Sequence, residues 1–285
     1  MMKRKMSNIG KVLFIVAVII MLCWTLFPMY WMLSTSLKPD IDLVKKPPDV
    51  WPNNLTLEHY RTVFNIAEGG VTPVVQFFIN SVITSLSTVF LAIVLSIPAA
   101  YILSRYYFRL KKGILLGVLV TQMFPLVVLI IPLYILYLRL NLLNTYQGLI
   151  FAFVAFTTPF NIWMLKGYID SVPREVDEAG KIDGCNQLQV LIKLILPVIK
   201  PGIVAVACFA FLDAWNNLLF PMSLVNKLTM KTLPAGMPIL FAGDFKHDWG
   251  GMMATSVIVS VPVIVVFVLL QRYLVEGLTA GSVKG

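Results

Sequence analysis

Six long apolar runs limit what this chain can fold into more than any other feature of its sequence. A helix that crosses a bilayer requires roughly 20 mostly apolar residues. Most of the charged residues stand between the runs. The pattern predicts an all-α membrane protein with six transmembrane helices, at about Val12–Leu33, Val74–Leu103, Gly113–Leu138, Gly148–Leu165, Val198–Phe220 and Met252–Leu270.

The composition also favours a membrane protein over a soluble one. Hydrophobic residues make up 58% of the 285 residues and charged residues only 13%, whereas soluble domains carry about 25% charged residues. The net charge of +9 does not indicate nucleic acid binding, because the charges flank apolar runs and form no basic face with interleaved aromatic residues. Anionic lipid head groups are the expected counter-charge.

The distribution of basic residues predicts the orientation in the membrane. If the N-terminus is inside, fifteen of the 23 Lys and Arg residues fall on the inner side. The positive-inside rule therefore places both termini and the loop 166–200 in the cytoplasm. A cleaved signal peptide is the alternative for the first run, but its apolar region would span about 7–15 residues. The longer run here predicts a retained first span.

The loop between the fourth and fifth runs contains the longest polar interval on the predicted cytoplasmic side, Pro173–Pro201. Its sequence predicts two short helices joined at Gly184, which can adopt the left-handed conformation that ends a helix. Pro173 suits the first turn of the first helix, and Asn186 can cap the second. Leu188, Leu191, Ile192 and Ile195 are expected on one face of that second helix. Either a docking element or an ordinary solvated loop fits these features.

The fifth run contains an unusually polar stretch for a membrane helix. Asp213 is followed by Trp215, Asn216 and Asn217. A charge inside a span is costly, so Asp213 is expected to face the bundle interior or a wet cavity, or to be protonated. Aromatic rings and amides suit a sugar pathway, which makes these residues candidates for the substrate path. Hydrogen bonding between helices is the alternative.

Motifs of other functional classes are absent from the sequence. There is no phosphate-binding loop, no zinc-protease motif and no nucleophile elbow. His59 and His247 have no companion ligands at metal-binding spacing, and the three cysteines are widely separated. We therefore predict no metal site, no cofactor and no enzymatic activity for the chain alone.

The polar loop matches a known pattern. Glu178-Ala179-Gly180, three residues, Gly184, nine residues and Leu194-Ile195-Leu196-Pro197 resemble the EAA loop of ATP-binding-cassette (ABC) importer permeases, in which Gly180 is usually alanine and Leu194 isoleucine. Further landmarks resemble carbohydrate importer permeases of the maltose-permease type: Thr56–Tyr60, Asn80-Ser81, Pro98–Tyr101 with Ser104-Arg105, Pro132–Tyr134, Pro159–Trp163, Gln271–Tyr273 and Gly277–Gly285.

The resemblance implies a type I ABC importer fold and a set of partners. These are a second, related permease subunit, two copies of a cytoplasmic ABC ATPase and an external solute-binding protein, all at a bacterial or archaeal cell membrane. The EAA loop would be the coupling helix, seated in a groove of the ATPase. The implied coupling residues are Glu178, Ala179, Gly180, Asp183, Gly184, Leu196 and Pro197, and the implied ATPase-contacting residues of the tail are Gly281, Lys284 and Gly285.

The predicted organisation has four parts. They are a cytoplasmic N-terminus with the first transmembrane helix (1–33), an external loop (34–73), a permease core of five transmembrane helices that includes the EAA-like loop 166–200 (74–272), and a cytoplasmic tail (273–285). The expected function is import of a sugar or oligosaccharide. A permease of the same class for a polyol or glycerol phosphate, a stand-alone secondary carrier and an intramembrane enzyme are the alternatives.

Overall fold

The computed structural model describes residues 8–64, 72–241 and 248–282, and these residues form helices and connecting segments without a strand. The α-helices are α1 (Asn8–Ser36), α2 (Asp40–Leu43), α3 (Glu58–Phe64), α4 (Pro73–Arg105), α5 (Lys111–Thr121), α6 (Leu126–Arg139), α7 (Tyr146–Ser171), α8 (Glu175–Ile182), α9 (Gln187–Gln189), α10 (Leu196–Val198), α11 (Lys200–Asn216), α12 (Leu219–Leu224), α13 (Leu233–Phe241) and α14 (Trp249–Ser282). A π-helical turn at Val190–Ile195 joins α9 to α10, and a 3₁₀ turn spans Leu228–Met230.

Four of these helices, α1, α4, α7 and α14, are long and apolar enough to cross a membrane. Two further apolar segments are each divided into a bent pair. Helices α5 and α6 meet at 99°, and Gln187–Val198 meets α11 at 81°. The described residues therefore provide up to six spans if each bent pair counts as one. The third predicted span is not a straight helix, because it is broken in the segment that contains Pro125.

The described residues form two compact units. One comprises residues within 1–72 and 239–260, and the other comprises residues within 73–238 and 261–285. In the first unit, α1 exposes apolar side chains along its length, and none of its most apolar window is buried. The coupling residues predicted from the sequence all lie in the second unit.

Helices α4, α7 and α11 pack against one another to form the centre of the second unit. The buried face of α4 carries small polar residues, including Ser81, Thr84, Ser85 and Thr88. Thr84, Ser85 and Thr88 donate hydrogen bonds to carbonyl oxygens one turn earlier at 2.7–2.8 Å. Each of these buried hydroxyl groups therefore has an acceptor for its proton. Small side chains allow membrane helices to approach closely.

Asn80 anchors the segment before α13 to α4. Its Nδ2 donates to the carbonyl oxygens of Lys231 at 2.8 Å and Thr229 at 2.9 Å, and its Oδ1 accepts a 2.6 Å hydrogen bond from Tyr146. Lys231 is itself buried and donates from Nζ to the Pro221 carbonyl oxygen. Burial lowers the pKa of the Lys231 ammonium group, because desolvation disfavours its charged form.

Candidate functional site

The polar interval Pro173–Pro201 folds as two helical pieces joined at Gly184, as the sequence predicts. Gly184 has φ +80°, in the left-handed region that favours glycine. The Gly184 amide donates to the Lys181 carbonyl oxygen, and the Cys185 amide donates to that of Gly180. This pair of hydrogen bonds is the Schellman motif that closes a helix. Helix α8 begins at Glu175, so Pro173 precedes the helix and does not occupy its first turn.

Asn186 begins the second piece with a complete capping box, which confirms its predicted role. Its Oδ1 accepts from the Gln189 amide at 2.9 Å, and the Gln189 side chain accepts from the Asn186 amide at 2.8 Å. The two reciprocal bonds satisfy backbone donors that would otherwise lack partners at the start of a helix.

The face predicted for the second helix is wrong in part. Leu191 and Ile195 are buried, but Leu188 and Ile192 are exposed and Val190 is buried instead. The prediction assumed α-helical periodicity, whereas Val190–Ile195 is a π-helical turn with hydrogen bonds between residues five apart. The longer repeat places Val190 and Ile195 on the same side, against the core of the second unit.

The inner face of α8 carries a buried carboxylate that the sequence did not single out. Asp177 Oδ2 lies 2.9 Å from Arg105 Nη2, and its Oδ1 accepts a 2.9 Å hydrogen bond from the Tyr101 hydroxyl. Arg105 Nη2 also donates to the Val172 carbonyl oxygen at 3.0 Å. In the sequence, Tyr101 and Arg105 stand out only as family landmarks.

The outer face of the same segment is the part available to a partner. Glu178, Ala179, Asp183 and Gly184 are exposed, as is Pro197, and Leu196 is half-buried. Gly180 is buried because it faces inward. Of the predicted coupling residues, Gly180 is therefore placed to support the segment from within rather than to meet a partner.

Two exposed apolar side chains lie close to Gly184 in the sequence. Ile182 is 87% exposed and Leu188 is 64% exposed. Their exposure leaves both side chains available for contact with another protein.

The substrate-path candidates separate into two groups. Asp213, Asn216 and Asn217 line an open groove of about 450 Å³ at the end of α11. Trp215 does not line it. Its ring is 1% exposed and stacks on Phe211 with a centroid distance of 5.4 Å. Asn217 Oδ1 also accepts a hydrogen bond from the Phe220 amide at 3.1 Å, which gives this residue a structural role.

Of the three predicted ATPase-contacting residues in the tail, only Gly281 lies within the described residues. Gly281 lies in α14, which runs through residue 273 to Ser282 without a break. The predicted boundary at residue 273 therefore does not coincide with the end of a helix. Lys284 and Gly285 lie outside the described residues.

Asp40, His59 and Asp248 are the described residues whose side chains could together hold a metal ion, since their ligand atoms lie within 4.8 Å of one another. The geometry gives these groups other partners. His59 Nε2 is 2.8 Å from the Lys38 carbonyl oxygen, and Asp248 Oδ1 accepts from the Gly251 amide at 2.7 Å. Both aspartates are exposed. The absence of a metal site stays a prediction.

Comparison with known proteins identifies relatives along the whole chain. A family model described as "Binding-protein-dependent transport system inner membrane component" matches residues 92–279. The chain is 35% identical to the inner membrane ABC transporter permease protein YcjP of Escherichia coli, with 99% of each chain covered. It is 32% identical to the diacetylchitobiose uptake system permease protein DasC of Streptomyces coelicolor (99% of this chain and 100% of DasC). It is also 32% identical to the trehalose/maltose transport system permease protein MalG of Thermococcus litoralis (96% and 97%).

The fold is similar to that of a solved structure. A crystal structure of a bacterial ABC transporter involved in the import of the acidic polysaccharide alginate contains a chain that superposes with a TM-score of 0.81. The match covers 94% of this chain and 99% of that one, at 20% sequence identity. The likeness is one of fold.

Proposed function

This chain belongs to the family of binding-protein-dependent transport system inner membrane components, and we propose that it is the permease subunit through which such a system imports a sugar or an oligosaccharide. Members of this family are multi-pass membrane subunits of ABC importers. They act in transport with an ATPase and a solute-binding protein, and they are not enzymes themselves. The relatives named for diacetylchitobiose and for trehalose and maltose support a carbohydrate substrate.

Coupling to the ATPase is assigned to the outer face of Pro173–Pro201. One observation carries this assignment: Ile182 exposes an apolar side chain beside the turn at Gly184, next to the exposed carboxylates of Glu178 and Asp183. An apolar contact ringed by charged groups has the make-up of a protein interface. Glu178 is the acid proposed to meet a basic residue of the ATPase, with Leu196 and Pro197 supporting the end of the segment.

The assembly we propose is a heterodimer of this chain with a second, related permease subunit, above two copies of the ATPase. Both termini are cytoplasmic in this proposal, as the distribution of basic residues favours. Gly281, Lys284 and Gly285 would reach the ATPase from the C-terminal end. Asp213, Asn216 and Asn217 would border the substrate path.

The test is purification of the tagged chain from its native membrane, followed by reconstitution of the complex in liposomes. An ATP hydrolase is expected to copurify, and uptake of a labelled oligosaccharide is expected to require ATP and the binding protein. Uptake of glycerol phosphate or a polyol in preference to sugars would favour the alternative substrate class. Uptake driven by an ion gradient, without a copurifying ATPase, would contradict the proposal.

Ile182→Asp tests the outer face of Pro173–Pro201, the proposed docking surface, within the same experiment. A buried unpaired charge in an apolar contact is costly, so the variant is expected to lose the ATPase on purification. Lys181→Ala is the matched control, because it changes an exposed neighbour without placing a charge in the contact. Equal retention of the ATPase by both variants would argue against this surface.

A further inference from the structure

The cytoplasmic end of α4 is fastened to α8 by three buried side chains. Tyr101 and Arg105 both lie in the last turns of α4, and each contacts a different oxygen of the Asp177 carboxylate. The Arg105 and Asp177 side chains are only 8% and 9% exposed. We call these three residues the α4–α8 clamp.

The arginine of the clamp also contacts the end of α7. Arg105 donates to the carbonyl oxygen of Val172, which immediately follows α7. One residue earlier, the Ser104 hydroxyl donates to Asp170 Oδ1 of α7 at 2.6 Å. The end of α4 is therefore tied to the end of α7 by two side-chain hydrogen bonds, and to α8 by the Arg105–Asp177 ion pair and the Tyr101 hydrogen bond.

We call Pro173–Pro201 the coupling segment. Among the described residues, its second half forms no hydrogen bond or ion pair with the end of α4 and shares only apolar packing with it. An open apolar groove of about 490 Å³ lies between the two, lined by Pro98 and Ile102 of α4 and by Leu188 and Leu191. An apolar groove permits small sliding movements, whereas a buried ion pair has one favoured geometry. A displacement of the coupling segment is therefore passed to α4 through the polar contacts of α8.

We propose that Tyr101, Arg105 and Asp177 transmit displacement of the coupling segment to α4, so that α4, α7 and α8 move as one body during the transport cycle. The inference rests on the proposed function and adds the residues that pass the movement from the docking surface to the membrane helices. These are positioning residues, because their buried side chains contact one another and none of them is exposed to the ATPase.

The experiment compares Arg105→Gln, Asp177→Asn and the double variant in the reconstituted importer. The measured quantity is the number of sugar molecules taken up per ATP hydrolysed. Removal of one partner leaves the other polar group buried without compensation, so each single variant is expected to lower the ratio by about tenfold or more. The double variant is expected to lose no more than the worse single variant, because the pair acts as a unit.

Two further variants keep the test informative if a charged-pair variant accumulates poorly. Tyr101→Phe removes only one hydroxyl and is expected to lower the ratio by roughly two- to tenfold. Glu175→Gln removes an exposed carboxylate from the same helix and should leave the ratio unchanged.

A merely structural role would lower the amount of assembled complex and leave uptake per ATP unchanged. That result would overturn the proposal that the clamp transmits movement. So would a double variant whose loss of sugar uptake per ATP equals the product of the two single losses. If the unmodified chain copurifies with no ATPase, the proposed function fails. If it does copurify and the clamp variants remain coupled, only this inference fails.

Discussion

Gly180 of α8 faces Leu194 so closely that a Cβ atom on residue 180 would stand 2.5 Å from Leu194 Cδ1. The same atom would stand 3.1 Å from Val190 Cγ2. Both neighbours belong to the π-helical turn, so the two halves of the coupling segment pack together at a position without a side chain. The nearest atom is the end of a flexible side chain, which can move.

Gly180→Ala is therefore expected to be tolerated. Alanine improves helix propensity by up to about 1 kcal/mol, and the Leu194 side chain must shift to accept the methyl group. Gly180→Leu should cost roughly 1–3 kcal/mol through overpacking. Thermal unfolding of the purified chain in detergent checks both. A leucine variant as stable as the wild type would show that the two halves do not pack in this way.

Gly184→Asp is expected to leave membrane insertion intact but to uncouple transport from ATP hydrolysis. A Cβ atom at this position meets nothing within 4 Å. The left-handed conformation costs most side chains roughly 1–2 kcal/mol, and Asp and Asn tolerate it best. The effect should therefore come from a charged side chain in the docking surface. Uptake and ATP hydrolysis measured together decide the matter, and normal uptake would contradict the docking role. Gly184→Asn separates the effect of bulk from that of charge.

Glu178→Ala is expected to weaken association with the ATPase more than it changes the affinity for substrate. Loss of a hydrogen bond to a charged partner should raise the dissociation constant by about tenfold or more. Binding of the ATPase to the chain in lipid nanodiscs measures this constant directly. Glu175→Ala, an exposed carboxylate one turn earlier, serves as the control. A larger change in substrate affinity than in ATPase binding would argue against the assignment.

Asp213→Asn is expected to raise the apparent KM for sugar uptake by about tenfold, if the carboxylate accepts hydrogen bonds from the substrate hydroxyls. Trp215→Phe is the contrasting variant. It alters the buried aromatic packing and should lower thermal stability without changing the KM. An unchanged KM in Asp213→Asn would remove the groove at the end of α11 from the substrate path.

Asn80→Ala is expected to destabilise the second unit by roughly 2–4 kcal/mol, because the carbonyl oxygens of Thr229 and Lys231 and the Tyr146 hydroxyl lose a shared partner. Gln76→Ala removes only one donor to the Asn80 side chain and should cost less. The apparent melting temperatures of the two variants in detergent compare these costs. Equal values would show that the Asn80 amide does not anchor the segment.

The features that the sequence could predict are those set by local chemistry. The length of the apolar runs indicates the spans, Gly184 indicates the left-handed turn, and Asn186 indicates the cap of the second helix. Each depends on residues that are neighbours in the chain. The family and its class of fold could also be predicted, because the EAA-like loop and the C-terminal tail resemble those of known importer permeases.

The features that the sequence could not predict depend on distant partners or on irregular helix geometry. The ion pair between Asp177 and Arg105 joins separate helices. The pattern of apolar residues cannot reveal a π-helical turn when α-helical periodicity is assumed. Asp213 and Trp215 are close in sequence, but residues two apart on an α-helix point about 160° away from each other. One of them therefore reaches the groove and the other the aromatic packing.

The direction in which the chain leaves the π-helical turn at Val190–Ile195 depends on the number of residues in that turn. An α-helix advances about 100° per residue, so adding or losing one residue there would change the phase of Pro197 and of the bend before α11. A single-codon deletion would thus redirect the chain's entry into the bilayer while every exposed residue of α8 kept its identity.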